Sequence, residues 1–171
     1  MLFFSMKELI QMISQRMEDM LLNGLDTLVT PADEVAVIVE SNTLSHALLL
    51  MTSNKYSVVP VIDNKSHMKG LISMPLIIEA IMGIEDVQFD KLGDILVKDV
   101  MDVEYPVVRE DFELEDVLRM LIHSSFVTVV DENCVFVGIV TRQEILTGTN
   151  RIVHNFERAY HVSDKRTETV E

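Results

Sequence analysis

Thr141 and Arg142 follow the strand-like run Gly138-Ile139-Val140 and stand where a helix opens. The first turn of a helix carries free backbone N–H groups and the positive end of the helix dipole, a combination that favours a phosphate. Arg142 would add a charge-assisted contact that can be bidentate. A plainer reading stands beside this one. Thr141 with Glu144 spells the Thr-x-x-Glu capping box, which needs no ligand, and Arg142 is also an ordinary solvated arginine.

Little else in the chain could do covalent chemistry. There is no phosphate-binding Gly-rich loop and no dinucleotide fingerprint, for only six glycines occur and they are not clustered. No Gly-x-Ser-x-Gly elbow appears. The histidines at 46, 67, 123, 154 and 161 lack metal-ligand spacing. His46 and His123 are expected in helices, as satisfied surface or core groups. Cys134 falls in or just after a turn with no base beside it, and a nucleophile there is not expected. The expectation is a binding protein without catalytic residues, metal or cofactor.

Composition narrows the partners. The chain has 171 residues, 48% of them hydrophobic, so it can bury a core. A formal net charge of −14 argues against nucleic acid and against an anionic membrane surface. A small anionic ligand is compatible with it, since a few local donors hold a phosphate. One cysteine excludes an intramolecular disulfide and fits a cytoplasmic setting. No apolar stretch is long enough to span a bilayer, and the apolar opening Met1-Leu2-Phe3-Phe4 is followed by Lys7, Glu8 and Arg16 rather than by a cleavage site.

The elements that must position these residues come in two similar sets. Leu9, Ile10, Ile13, Met17, Met20 and Leu21 predict an amphipathic helix over 6–22, stopped at Asn23-Gly24. Val35 to Val39 read as a strand, with Ser41-Asn42-Thr43 capping a helix that carries Leu44, Ala47, Leu48 and Met51. Val58 to Ile62 make a strand, Asp63-Asn64-Lys65 a turn and Gly70-Leu71-Ile72 the return strand. Ser73-Met74-Pro75 then starts a helix. The order recurs: strand at Pro106-Val107-Val108, helix capped by Asp111, strand at Phe126 to Val130, turn at Asp131-Glu132-Asn133, strand at Gly138 to Val140, helix from Thr141. Gly70 and Gly138, like Asp63 and Asp131, are 68 residues apart, whereas Glu40 and Glu110, like Leu44 and Leu114, are 70 apart. The second copy has therefore lost two residues near Asn54-Lys55, where a helix-to-strand loop absorbs the change. The methionines, Met51 and Met120 among them, fall at helical spacing and read as core filling.

Each copy resembles a CBS domain. Val97-Lys98-Asp99-Val100-Met101, Pro106-Val107-Val108 and Leu114-Glu115-Asp116-Val117 are similar to the opening of such a domain, and Gly138-Ile139-Val140-Thr141-Arg142-Gln143-Glu144 to its closing motif; Gly70-Leu71-Ile72-Ser73 is a weaker version. The resemblance covers residues 28–150. It implies a mixed α/β (α+β) fold of two CBS repeats packed as one pseudo-two-fold pair, preceded by the N-terminal helix. The divisions expected are 1–24 for that helix, 25–84 for the first repeat, an acidic linker over 85–99, 100–160 for the second repeat and a frayed tail over 161–171. Leu44 to Leu49, Lys55 to Val61, Phe89 to Leu92 and Gly138 to Arg142 look like the small stand-alone CBS-pair proteins that bind cyclic di-AMP. That likeness implies a homodimer that senses cyclic di-AMP in the cleft between repeats and modulates a partner enzyme, such as the alarmone synthetase-hydrolase of the stringent response. An AMP or ATP sensor and a nucleotide-independent dimeric scaffold are the alternatives.

The resemblance also nominates site residues. Ala36, Tyr56, Ser57 and Val58 would line the adenine slot, with backbone groups reading the base and Tyr56 stacking on it; Pro60 lies beside them, Phe126 and Val127 are the second-copy counterparts, and Thr141 and Arg142 hold phosphate. Without a ligand, Tyr56 is a half-buried ring, Ala36 and Val58 are core strand residues and Pro60 stiffens a strand end. Glu34 stands where the subgroup often has a basic residue, Gln143 where it often has a second arginine, and Leu76 where the first copy would carry a ribose-binding acid. One of the two clefts is accordingly expected to be empty or weak.

Overall fold

A computed structural model describes residue 21, residues 28–83 and residues 86–159. The helix expected over 6–22, Leu21 apart, and the tail after His161 lie outside the described residues. Val29–Thr141 form one compact unit, and a second is built from residues on either side of it.

Within Val29–Thr141 the order is β1 (Thr30–Pro31), a 3-10 turn (Ala32–Glu34), β2 (Ile38–Val39), α1 (Leu44–Asn54), β3 (Val58–Ile62), β4 (Met68–Ser73) and α2 (Met74–Ile81). Two further 3-10 turns (Phe89–Gly93, Val97–Asp99) lead to β5 (Val107–Arg109), α3 (Leu114–Leu121), β6 (Phe126–Val130) and β7 (Phe136–Thr141). One sheet has the order β2-β3-β4 and the other β1-β7-β6-β5. In each, a short strand runs parallel to the strand after its helix, and that strand pairs antiparallel with the next.

The two copies use the same local chemistry. Asp63 Oδ1 accepts the N–H groups of Lys65 at 2.8 Å and His67 at 2.9 Å; Asp131 Oδ1 accepts those of Asn133 and Val135, both at 2.8 Å. Each carboxylate thereby mimics a backbone turn and fixes its hairpin. Both hairpins slip register at the matching place, Val61/Ile62 and Val129/Val130. Thr43 caps α1 by accepting the His46 N–H, and Lys55 ends that helix in the left-handed conformation, φ 59°. Ser73 caps α2, with Pro75 in its first turn.

Leu44, Ala47 and Met51 of α1, Val59 and Val61 of β3, Ile72 of β4 and Ile77 and Ile81 of α2 form the first core. Burying each of these side chains other than Ala47 contributes about 1.5–3 kcal/mol. Leu92 and Val97, from the stretch read as a linker, are buried in the same core. Backbone bonds hold that stretch there: Leu44 N–H to the Ile95 carbonyl at 2.9 Å, and Val97 N–H to the Asn42 carbonyl at 2.8 Å. In the second copy Leu114, Val117, Leu121, Val127, Val129 and Val140 are buried.

The repeats meet along Met68, Val130 and Phe136, with Val35, Ile62, Leu71, Tyr105 and Ile139 packed around them. Backbone bonds cross the same seam: Met68 N–H to the Cys134 carbonyl at 2.9 Å and Phe136 N–H to the Ser66 carbonyl at 2.8 Å. Each copy also lends its entry segment to the other. Thr30, near the start of the first repeat, pairs with Ile139 on β7, and Asp102, near the start of the second, pairs with Leu71 on β4. Leu71 and Ile139 are the same position of the two copies, so the exchange is reciprocal and the pair is pseudo-two-fold.

Three expectations change. The strand expected over Val35–Val39 shrinks to Ile38–Val39. Pro60 explains this: it lies in the middle of β3, not at a strand end, and has no N–H to extend the ladder toward residue 36. Asp111 does not cap α3; it lies in the preceding turn, and Glu113 holds the cap position without a side-chain capping bond. His123 lies in the turn after α3, its N–H bonded to the Met120 carbonyl at 3.2 Å.

In the second unit α4 (Arg142–Ala159) is the described helix. A Cβ added at Gly148 would come within 3.1 Å of the buried Leu21, which leaves little room for any side chain there. No helix among the described residues is long and apolar enough to cross a membrane.

Candidate functional site

The α1–β3 connection is set by bonds to both helices of the first repeat. Tyr56 N–H bonds the Met51 carbonyl at 2.9 Å, completing the end of α1. Met74 N–H, at the start of α2, bonds the Ser57 carbonyl at 3.0 Å. Val58 pairs with Ser73, the residue capping α2. Tyr56 and Ser57 are thus held at the edge where β3 begins and α2 starts, Tyr56 45% exposed.

Ala36 reaches the same end of the sheet. Ile38 lies beside Val61 in a parallel pair, so the chain two residues upstream runs toward the Val59 end of β3. Ala36 is half-buried, Val58 is half-buried and Pro60 is buried. The structure therefore gathers Ala36, Tyr56, Ser57, Val58 and Pro60 around one end of the first sheet. At the matching end of the second sheet, Phe126 pairs with Thr141 and Val127 with Val140. Phe126 is 9% exposed and Val127 is fully buried, so what Val127 can offer a ligand is backbone. Arg142 is exposed at the start of α4.

A difference between the copies appears at Pro60. Its counterpart is Thr128, as Val61 and Ile38 pair in the first copy where Val129 and Val108 pair in the second. Thr128 donates its N–H to the Pro106 carbonyl at 3.0 Å and its hydroxyl to the same oxygen at 2.7 Å. A carbonyl oxygen has two lone pairs, and both are used. Ala36 is the first-copy counterpart of Pro106, and Pro60 offers it neither N–H nor hydroxyl. Among the described residues no backbone N–H bonds the Ala36 carbonyl. Thr128 carries no motif of its own, because a threonine inside Phe-Val-Thr-Val-Val reads as one more β-former. The available signal was its alignment with a proline, together with the need of a buried hydroxyl for an acceptor.

Ionisation is perturbed away from this end. The side chain of His67, with Nδ1 2.9 Å from Asp63 Oδ2, pulls the Asp63 carboxyl down to about 2. Burial at the seam raises the Tyr105 phenol above its ordinary value, with Cys134 adding to it. Among the described residues no cluster of His, Cys, Asp and Glu is arranged to hold a metal ion.

Comparison with known proteins agrees with this architecture. The family model described as CBS domain matches residues 27–83 and 97–148. "Cyclic di-AMP receptor B" of Bacillus subtilis is 32% identical over 147 residues, 86% of this chain and 100% of that protein. The structure of the CbpB protein of Listeria monocytogenes in complex with c-di-AMP superposes with a TM-score of 0.70 at 40% identity, covering 74% of this chain and 94% of the other. CbpB from Streptococcus agalactiae gives a TM-score of 0.77 at 26% identity, covering 89% and 96%.

Proposed function

The chain belongs to the CBS-domain family, and from that premise we propose that it is a regulatory protein, not an enzyme, that binds cyclic di-AMP between its two repeats. The observation that carries this reading is the Ala36 carbonyl, an acceptor without a backbone donor among the described residues, where Tyr56, Ser57 and Val58 gather. An unpaired backbone acceptor in a half-buried strand end is satisfied by water or by a ligand donor. The 6-amino group of adenine is such a donor, and the exposed Tyr56 ring supplies a flat apolar face beside it. A 6-oxo purine presents an acceptor at that place and would leave two acceptors opposed. Thr141 and Arg142 are assigned the phosphates, Arg142 as the charge-assisted donor. Phe126 and Val127 are the corresponding positions of the second copy.

Support from relatives is direct in kind: proteins named or crystallised as cyclic di-AMP binders align along nearly their whole length. Binding would act by favouring one packing of the two repeats over another, since a ligand shifts an equilibrium only through its difference in affinity for the states. The states would be read by a partner enzyme in the cytoplasm, the alarmone synthetase-hydrolase being the one implied by resemblance, with the protein acting as a homodimer.

Calorimetric titration of the full chain with cyclic di-AMP, AMP, ATP and cyclic di-GMP tests the reading. Cyclic di-AMP should bind and raise the melting midpoint, and cyclic di-GMP should not. No binding of any adenine nucleotide at high micromolar concentration would overturn it.

A further inference from the structure

We infer that the outer face of the first repeat, around Met82, Val87 and Phe89, is a docking surface for a basic, amphipathic helix of another protein. Met82 is 61% exposed, Phe89 is 63% exposed, and Val87 is exposed between them in the chain. Leu49, on the outer side of α1, is 67% exposed. The 3-10 turn that begins at Phe89 lies against both α1 and α2 and sends Leu92 into their core. Single exposed apolar side chains are ordinary, but several gathered on one face mark a surface that meets a partner.

The backbone holds this face in place. Met82 and Val87 form an antiparallel bridge. The Gln88 N–H bonds the Ile81 carbonyl at 2.8 Å, and the Gly83 N–H bonds the Asp86 carbonyl, also at 2.8 Å. A Cβ at Gly83 would lie 2.9 Å from that Asp86 oxygen, so the connection closes this tightly only with glycine there. Side chains presented from a fixed backbone lose less freedom when a partner docks. The fold does not demand them. Leu49 aligns with Arg119 of the second copy at the spacing of Leu44 and Leu114, and Met82 aligns with Asn150 at the spacing of Gly70 and Gly138.

Charge selects the occupant. Glu79, one turn before Met82 on α2, and Asp86 and Asp90, next to Val87 and Phe89 in the chain, are all exposed. Lys91 is the only basic residue between Lys69 and Lys98. A second copy seated on this face would set these carboxylates against their like, on a chain of net charge −14. A helix with apolar anchors three and four residues apart, flanked by lysine or arginine, meets both the apolar centre and the acidic rim. The inference does not depend on the nucleotide reading, which calorimetry decides separately.

The test is fluorescence anisotropy of a labelled synthetic helix of leucine and lysine, with leucine on one face, titrated with the full chain. The peptide should bind, and more weakly as salt is added. The same pattern with glutamate in place of lysine should not bind. Phe89→Ser and Met82→Ser should each weaken binding about tenfold or more, with melting midpoints measured alongside to establish folding. Asp90→Lys, which reverses the rim charge and leaves the apolar side chains untouched, should weaken it too. Glu115→Lys, on the exposed acidic side of α3, should leave affinity unchanged. Absence of binding, or affinity unmoved by the three variants of this face, would overturn the assignment. An equal loss in Glu115→Lys would also overturn it, by showing attraction to net charge alone. So would sedimentation in which Phe89→Ser turns a dimer of the unmodified chain into a monomer, because a second copy would then cover the face.

Discussion

Gly138 lies beneath the carbonyl of Thr30, so close that a Cβ built on it would overlap that oxygen. Gly70 stands in the same relation to Asp102, whose carbonyl would be 2.5 Å from an added Cβ. The two glycines that establish the repeat are thus the two points at which each copy is crossed by the entry segment of the other.

Gly70→Ala and Gly138→Ala should each destabilise the chain by about 1–3 kcal/mol, because backbone must move to admit the methyl group. Gly93, where an added Cβ meets nothing within 4 Å, is the control, and Gly93→Ala should be neutral or slightly stabilising. Urea denaturation of the three variants checks this. Equal stabilities would mean that the crossing segments do not press on the strands as described.

Thr128→Val keeps the shape of a fully buried side chain and removes its hydroxyl. The Pro106 carbonyl keeps the Thr128 N–H bond, so no buried group is left wholly unpaired. A loss of about 0.5–1.5 kcal/mol is expected in chemical denaturation. A larger loss would mean that the hydroxyl has a role beyond this one acceptor.

Asp63 gives the stability a pH dependence. The hydrogen bond from the His67 side chain, opposed by desolvation and helped by the N–H groups of His67 and Lys65, lowers its carboxyl from 3.8 to about 2. A carboxyl that is more acidic in the folded chain stabilises it above the unfolded value and loses that contribution as pH falls through the folded one. The melting midpoint should therefore drop between about pH 4 and pH 2. Asp63→Asn keeps an oxygen for the backbone N–H groups, loses the charge, and should show a shallower drop in that window. Parallel slopes for the two proteins would count against the Asp63–His67 pairing.

Arg142→Ala should weaken cyclic di-AMP binding about tenfold or more, through loss of a charge-assisted phosphate contact. The comparison is calorimetric, at one salt concentration, because a charge contact is sensitive to screening. Unchanged affinity would take Arg142 out of the site.

The sequence by itself determined the parts of this protein that depend on neighbours within a few residues. The hairpin turns at Asp63 and Asp131 form through bonds spanning two to four residues, the cap at Thr43 through one spanning three, and the core stripe of Leu44, Ala47 and Met51 follows from helical spacing. Repetition of those local signals was enough to reveal two copies of one fold, whereas Ala36, Tyr56 and Ser57 were nominated by the resemblance to CBS domains. Tertiary structure alone decided what depends on a partner far along the chain. The exchange of Thr30 and Asp102 between copies, the inclusion of Leu92 and Val97 in the first core and the closing of the Pro106 carbonyl by Thr128 have no local signature. The physical reason is that a backbone carbonyl looks the same at every position in a sequence. Whether it is paired or left open is settled only by the strand that folding lays beside it, and here by whether that strand brings a threonine or a proline.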